Sequence, residues 1–168
     1  MSAIGSFYVI SDNKRAGMVE AAEAQFKALR KKRLGFLPPK LPLNPDPFWQ
    51  FVRSNAKELD DYPFSGYLLM DVEQLAPNAL SSKDQVGIDL SRVLQSSFVS
   101  YLPRDAEEAV AILDSADFSE DAIKAFFVEE GREHEVPDIV APIQQSAEHL
   151  KKWLGEVCEG QTGILAIG

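Results

Sequence analysis

Residues 138–168, DIVAPIQQSAEHLKKWLGEVCEGQTGILAIG, carry two hydrophobic periods one after the other. Ile139, Ile143, Ala147, Leu150, Leu154 and Val157 step by four, four, three, four and three, which sets them on one face of an α-helix. Lys151 and Lys152 fall in its C-terminal half, where they complement the exposed carbonyls. After the polar turn Glu159-Gly160-Gln161, residues 162–167 run apolar up to Gly168 and read as a buried strand. A helix that delivers the chain into a core strand is a frame on which other elements can pack.

The rest of the chain supplies those elements. Phe7-Tyr8-Val9-Ile10, aromatic and β-branched after Gly5, predicts a first strand. Met18, Ala22, Phe26 and Leu29 form the next helical stripe. Glu20 and Glu23 come early in it and Lys27, Arg30, Lys31, Lys32 and Arg33 late, the order of signs a helix dipole favours. The same basic cluster would also suit a phosphate or a lipid. Prolines at 38, 39, 42, 45 and 47 make residues 38–47 an extended surface connector. Asp46 and Pro47 open a helix whose apolar side is Phe48, Trp49, Val52, Ala56 and Leu59. Tyr67-Leu68-Leu69-Met70 reads as a strand buried on both faces, residues 84–94 as a helix, and residues 98–102 as a further strand. Asp105 is placed to cap one more helix, and Ser119 another that Gly131 ends. The reading is a single α+β domain over residues 1–168, a small mixed sheet of about four strands packed with about six helices. The strands near the two ends of the sequence, both strongly apolar, are expected inside that sheet.

Composition narrows the class. A chain of 168 residues, 45% hydrophobic, can bury a core without disulfides or metal. No apolar run approaches the length of a membrane span, and the first residues lack the basic and apolar regions of a secretory signal. Cys158 is the only cysteine, which rules out an internal disulfide and fits a reducing compartment, so a cytoplasmic location is expected. Charge is unevenly spread. Residues 1–40 hold eight Lys/Arg against three Asp/Glu, whereas residues 104–138 hold three against twelve. A net charge of −9 disfavours nucleic acid, whose phosphates need Lys and Arg, and suits either a cationic partner or a well-solvated face.

Catalytic constellations are missing. There is no dinucleotide fingerprint, phosphate-binding loop or nucleophile elbow, and no cofactor or metal motif. His149 lies off the apolar stripe and reads as solvated; His134, between Glu133 and Glu135, has no second histidine at helical spacing. Cys158 reads as a small half-buried residue near the end of the last helix.

Several stretches taken together resemble the YfbM-like family, a bacterial domain of unknown function. Ile4-Gly5 before the first strand, Tyr101-Leu102-Pro103 leading into an acidic helix, and Pro137 before a long amphipathic helix and final strand occur in that family's order. The chain departs from the pattern at Phe48-Trp49-Gln50-Phe51, where the family carries a Trp-Asp pair and a following histidine. The resemblance implies an α+β fold and a bacterial cytoplasmic home, and supplies no reaction.

The function expected first is a non-catalytic protein-binding role, in its sharpest form an immunity protein covering a cationic toxin. Phe127, Glu129, Glu130, Glu133, His134, Glu135 and Asp138 would form its partner surface, apolar anchors ringed by charge. The alternative is a small enzyme or ligand-binding protein whose pocket gathers dispersed residues, with His134, Asp60, Asp61 and Tyr62 first to test. Trp49, Trp153, Tyr62 and Tyr101 would either line such a pocket or fill the core.

Overall fold

The computed structural model describes residues 3–33, 46–81 and 83–168. Its centre is the pair of strands expected from the two ends of the sequence. Strand β1 (Gly5–Ser11) lies antiparallel to β4 (Gln161–Ile167) over seven residues, from Gly5 opposite Ile167 to Ser11 opposite Gln161. A short polar strand, β2 (Ala56–Glu58), pairs with β1 on one side, and β3 (Ser97–Tyr101) pairs with β4 on the other. The order is β2-β1-β4-β3, and every pairing is antiparallel where the sequence suggested a mixed sheet.

Seven α-helices cover the sheet among the described residues: α1 (Arg15–Arg33), α2 (Pro47–Asn55), α3 (Tyr67–Leu75), α4 (Gln85–Leu94), α5 (Pro103–Ser115), α6 (Glu120–Glu129) and α7 (Val136–Leu154). Alternation along the strands splits the core in two. Phe7, Val9, Val99, Tyr101, Leu165 and Ile167 face α3, α5, α6 and α7 and join the larger cluster around Trp153, Leu150 and Phe127. Tyr8, Ile10, Phe98, Ile164 and Ala166 face α1, α2 and α4, where they meet Met18, Ala22, Phe48, Val52 and Leu90. Burial on both faces explains why β1 and β4 read as apolar runs rather than as an alternating pattern. The chain is thus one α+β domain, and none of its helices, among the described residues, is long and apolar enough to cross a membrane.

Three local expectations are corrected. Residues 67–70 open helix α3 rather than a strand: Leu69 and Val72 are buried while Tyr67 and Met70 stay exposed, a helical period that four residues were too few to reveal. Helix α2 stops at Asn55, so Ala56 belongs to strand β2 and Leu59 to the loop beyond it. Helix α5 begins at Pro103, and Asp105 sits one turn in, its side chain accepting from the backbone N–H of Leu102 at 3.3 Å. The caps expected at Asp46 and Ser119 are present, accepting from Trp49 N and Ala122 N. Gly131 takes the left-handed conformation (φ 68°) that closes α6. Of the proline-rich connector, residues 38–45 lie outside the described residues.

Gly163 sets how closely α7 and its following turn approach the sheet. A Cβ there would lie 2.7 Å from both Phe7 Cζ and Val157 Cγ2, two side chains of the packed face. Gly163→Ala is therefore expected to cost about 1–3 kcal/mol by overpacking. A urea midpoint unchanged from the parent would show that β4 can shift to accept the methyl.

Candidate functional site

The helical layer over the second sheet face does not cover it. Helix α1 buries Met18 and Ala22, but its stripe runs on past the core, leaving Phe26 39% and Leu29 48% exposed. Helix α4 ends early, with Gln95 in the left-handed conformation (φ 55°) turning the chain back into β3. Beneath them the β4 residue that reaches the cavity is Ala166, with only a methyl group. The result is a cavity of about 890 Å³, floored by β1, β4 and β3 and walled by α1, α2 and the end of α4. That volume is in the range of small-molecule sites. Tyr8, Phe26, Trp49 and Phe98 supply aromatic surface, Leu29, Val93 and Leu94 aliphatic surface, and Ser6, Gln25, Gln95 and Ser96 the polar groups. None of the described lining residues carries a charged side chain.

Most of these polar groups are already engaged. The Tyr8 hydroxyl donates to Glu58 Oε1 at 3.1 Å, and Ser96 Oγ donates to the Ile167 carbonyl at 3.0 Å. Gln25 Oε1 accepts from the Phe48 N–H at 3.2 Å, which turns the amide nitrogen into the free donor. Burial raises the Tyr8 pKa, opposed by a hydrogen bond with Ser6 and reinforced by Glu58, so the phenol is neutral. Among the described lining residues there is no acid–base pair.

A second arrangement gathers two of the residues singled out in the sequence. The loop after β2 folds against α7, so that Asp60 Oδ1 accepts from the Trp153 indole at 3.0 Å and Asp60 Oδ2 from Lys152 Nζ at 2.6 Å. The Lys152 ammonium holds the Asp60 carboxyl below its ordinary pKa, and the indole and nearby His149 act in the same sense. His149 is not solvated as expected. Its ring stands edge-on to Trp153 at 4.5 Å and to Tyr62 at 5.6 Å, with Nε2 3.7 Å from Asp60 Oδ2 and without a hydrogen bond. Distance from the apolar stripe could not reveal this, because the cover comes from a loop far away in sequence. The Tyr62 hydroxyl donates to Ser146 Oγ at 2.6 Å, and Ser146 donates on to the Pro142 carbonyl. This cluster pins a loop to a helix; the recess beside Asp60 and Tyr62 is about 150 Å³, and a shallow one of about 360 Å³ lies over His149 and Lys152 on the helix surface. His134 is at the other end of α7, with its side chain 77% exposed, and does not converge with Asp60, Asp61 or Tyr62.

The buried phenols have a consequence at high pH. Burial pushes the Tyr62 hydroxyl up to about 12 and raises that of Tyr101 as well. The unfolded chain releases these protons near pH 10, so their contribution is complete below pH 10 and is lost as pH rises through the folded values. The urea midpoint should fall between pH 10 and 12, and fall less steeply in Tyr62→Phe. Parallel declines in the two proteins would show that Tyr62 is not a source of the effect.

The acidic corner around the α6–α7 junction also differs from its reading. Phe127 is 0% exposed, packed under the Arg132 guanidinium at 4.4 Å, and is unavailable to a partner. Glu135 is tied to Arg132, with Oε1 2.9 Å from Nε. Glu129, Glu130, Glu133, His134 and Asp138 are exposed, and the apolar residue beside them is Val128, 57% exposed. Cys158 lies beyond the end of α7 and is exposed rather than half-buried. Among the described residues no group of three or more His, Cys, Asp or Glu side chains could hold a metal ion. Of the aromatics considered for a pocket, Trp49 lines the cavity, while Trp153 and Tyr101 fill the opposite core.

Compared with known proteins, the chain matches no family model, no curated protein and no solved structure.

Proposed function

We propose that this chain is a non-catalytic binding protein that holds a small, largely apolar molecule in the cavity beside Trp49. The observation that carries this reading is the cavity of about 890 Å³, with no charged side chain among its described lining residues and with Ile4, Phe26 and Leu29 exposed among its wall residues. Large apolar side chains left exposed around a concavity mark a binding site more often than isolated exposed residues do. Nile red, a neutral dye whose emission shifts to the blue in apolar surroundings, provides the test. It should bind saturably with one site per chain, and at least tenfold more weakly to Leu29→Glu, which places a charge at the wall without disturbing the core. Absence of saturable binding to the parent protein would overturn the reading.

A second reading is supported by the exposed acids Glu129, Glu130, Glu133 and Asp138 around Val128: protein binding of the immunity type, directed at a cationic toxin. Its test is reversal of Glu129, Glu130 and Glu133 to Lys, omitting Glu135 because Arg132 depends on it. The reversal should abolish salt-sensitive association with a basic protein partner while leaving the urea midpoint in place. Association that persists unchanged would remove the acidic corner from the mechanism. The segment likeness to the YfbM-like family belongs to the same proposal, and with it a bacterial cytoplasmic home.

A further inference from the structure

Resting on the ligand-binding reading, we infer that the molecule held in this cavity is uncharged: an apolar or aromatic body bearing a neutral hydrogen-bonding group such as a hydroxyl, ketone or amide. The inference comes from what lines the site. An ion moved from water into a mostly apolar enclosure needs a countercharge or several oriented dipoles. The fourteen described lining residues include none of Asp, Glu, Lys, Arg or His. Two of them, Gln25 and Gln95, are primary amides. Gln25 has its oxygen committed to the Phe48 N–H and its nitrogen without a partner among the described residues, so it offers a donor. Gln95 has no side-chain partner among the described residues and offers both a donor and an acceptor. A neutral group on the ligand would satisfy these amides and leave no charge unpaired. The body would lie against the rings of Tyr8, Trp49 and Phe98. Tyr8 and Trp49 stand 6.0 Å apart with their planes inclined at 52°, and Phe98 belongs to the same apolar floor.

Two features of the chain could oppose this choice, and the experiment separates them. Aromatic walls attract cations, and α1 ends in the basic sequence RKKR. Nile red bound to the protein is displaced with three ten-carbon compounds that differ only in the head: decanol, decanoate and decyltrimethylammonium. Each is titrated below its micellar concentration, at low and high salt. Decanol should displace the dye at a concentration at least tenfold lower than either ion, with little dependence on salt. The displacement should be weakened in Leu29→Glu, which localises it to the cavity. Decanoate acting at the lowest concentration, and losing that advantage at high salt, would overturn the inference and assign the head of the ligand to the basic end of α1. Decyltrimethylammonium acting first would overturn it in favour of an aromatic cage for cations. Either result leaves the ligand-binding reading standing. That reading fails separately, if Nile red itself does not bind.

Discussion

Replacing Arg132 by Met is expected to cost about 3–5 kcal/mol of folding stability, because it strands a buried carboxylate. Asp71, on α3, is the one charged residue among the buried residues described. Its two oxygens accept from Arg132 Nη1 at 2.7 Å and Nη2 at 3.2 Å. The same guanidinium reaches Glu135 through Nε and Nη2, and lies over the face of Phe127. One cation therefore ties α3 to the end of α6 and to the turn that starts α7. Chemical denaturation measures the loss. The double variant Asp71→Leu/Arg132→Met should recover part of it, since removing both charges leaves neither to be buried alone. A loss below about 1 kcal/mol in Arg132→Met would show that water reaches Asp71 once the guanidinium is gone. Glu135→Gln should have a smaller effect, as Glu135 is partly exposed to solvent.

Trp153→Ala is the second large effect, about 3–5 kcal/mol, from the cavity it would leave. Trp153 is fully buried in the middle of the larger core, stacked on Phe7 at 5.5 Å and in ring contact with Tyr62 and His149. Its indole N–H also anchors Asp60, so the residue joins packing to loop attachment. Trp153→Phe separates the two contributions. It keeps most of the ring contact and loses the hydrogen bond, for a cost of about 1–2 kcal/mol. Equal losses in the Ala and Phe variants would place the whole effect in the hydrogen bond and contradict the packing account.

What was legible in the sequence was what depends on local period. The stripe of α7 as far as Leu154, the apolar runs of β1 and β4 and the caps at Asp46 and Ser119 all follow from spacing and residue type within one element, whereas Val157, expected on the same stripe, lies past the end of the helix. Strand β2 was not legible, because Ala56-Lys57-Glu58 is too short and too polar to carry an alternating pattern. It is a strand only because β1 provides a partner. The site was harder still. Phe26 and Leu29 continue the stripe of Met18 and Ala22 without a break in pattern, so the sequence cannot tell which half of the stripe the core covers. The cavity depends on where α4 stops and on the small size of Ala166, two facts that acquire meaning only once the layers are stacked. Phe127 shows the converse: an aromatic residue among acids reads as an interface anchor, yet it is the ring under Arg132.

The central claim is that the cavity over Ala166 accepts a ligand while the opposite core does not. Methyl NMR of protein labelled at alanine, leucine and valine tests it most directly, because Leu165 and Ala166 are neighbours on β4 facing opposite sides of the sheet. Titration with decanol should shift Ala166, Leu29 and Val93 saturably and leave Leu165, Leu113 and Leu150 unmoved. Shifts spread evenly over both faces, or absent from Ala166 and Leu29, would contradict the account.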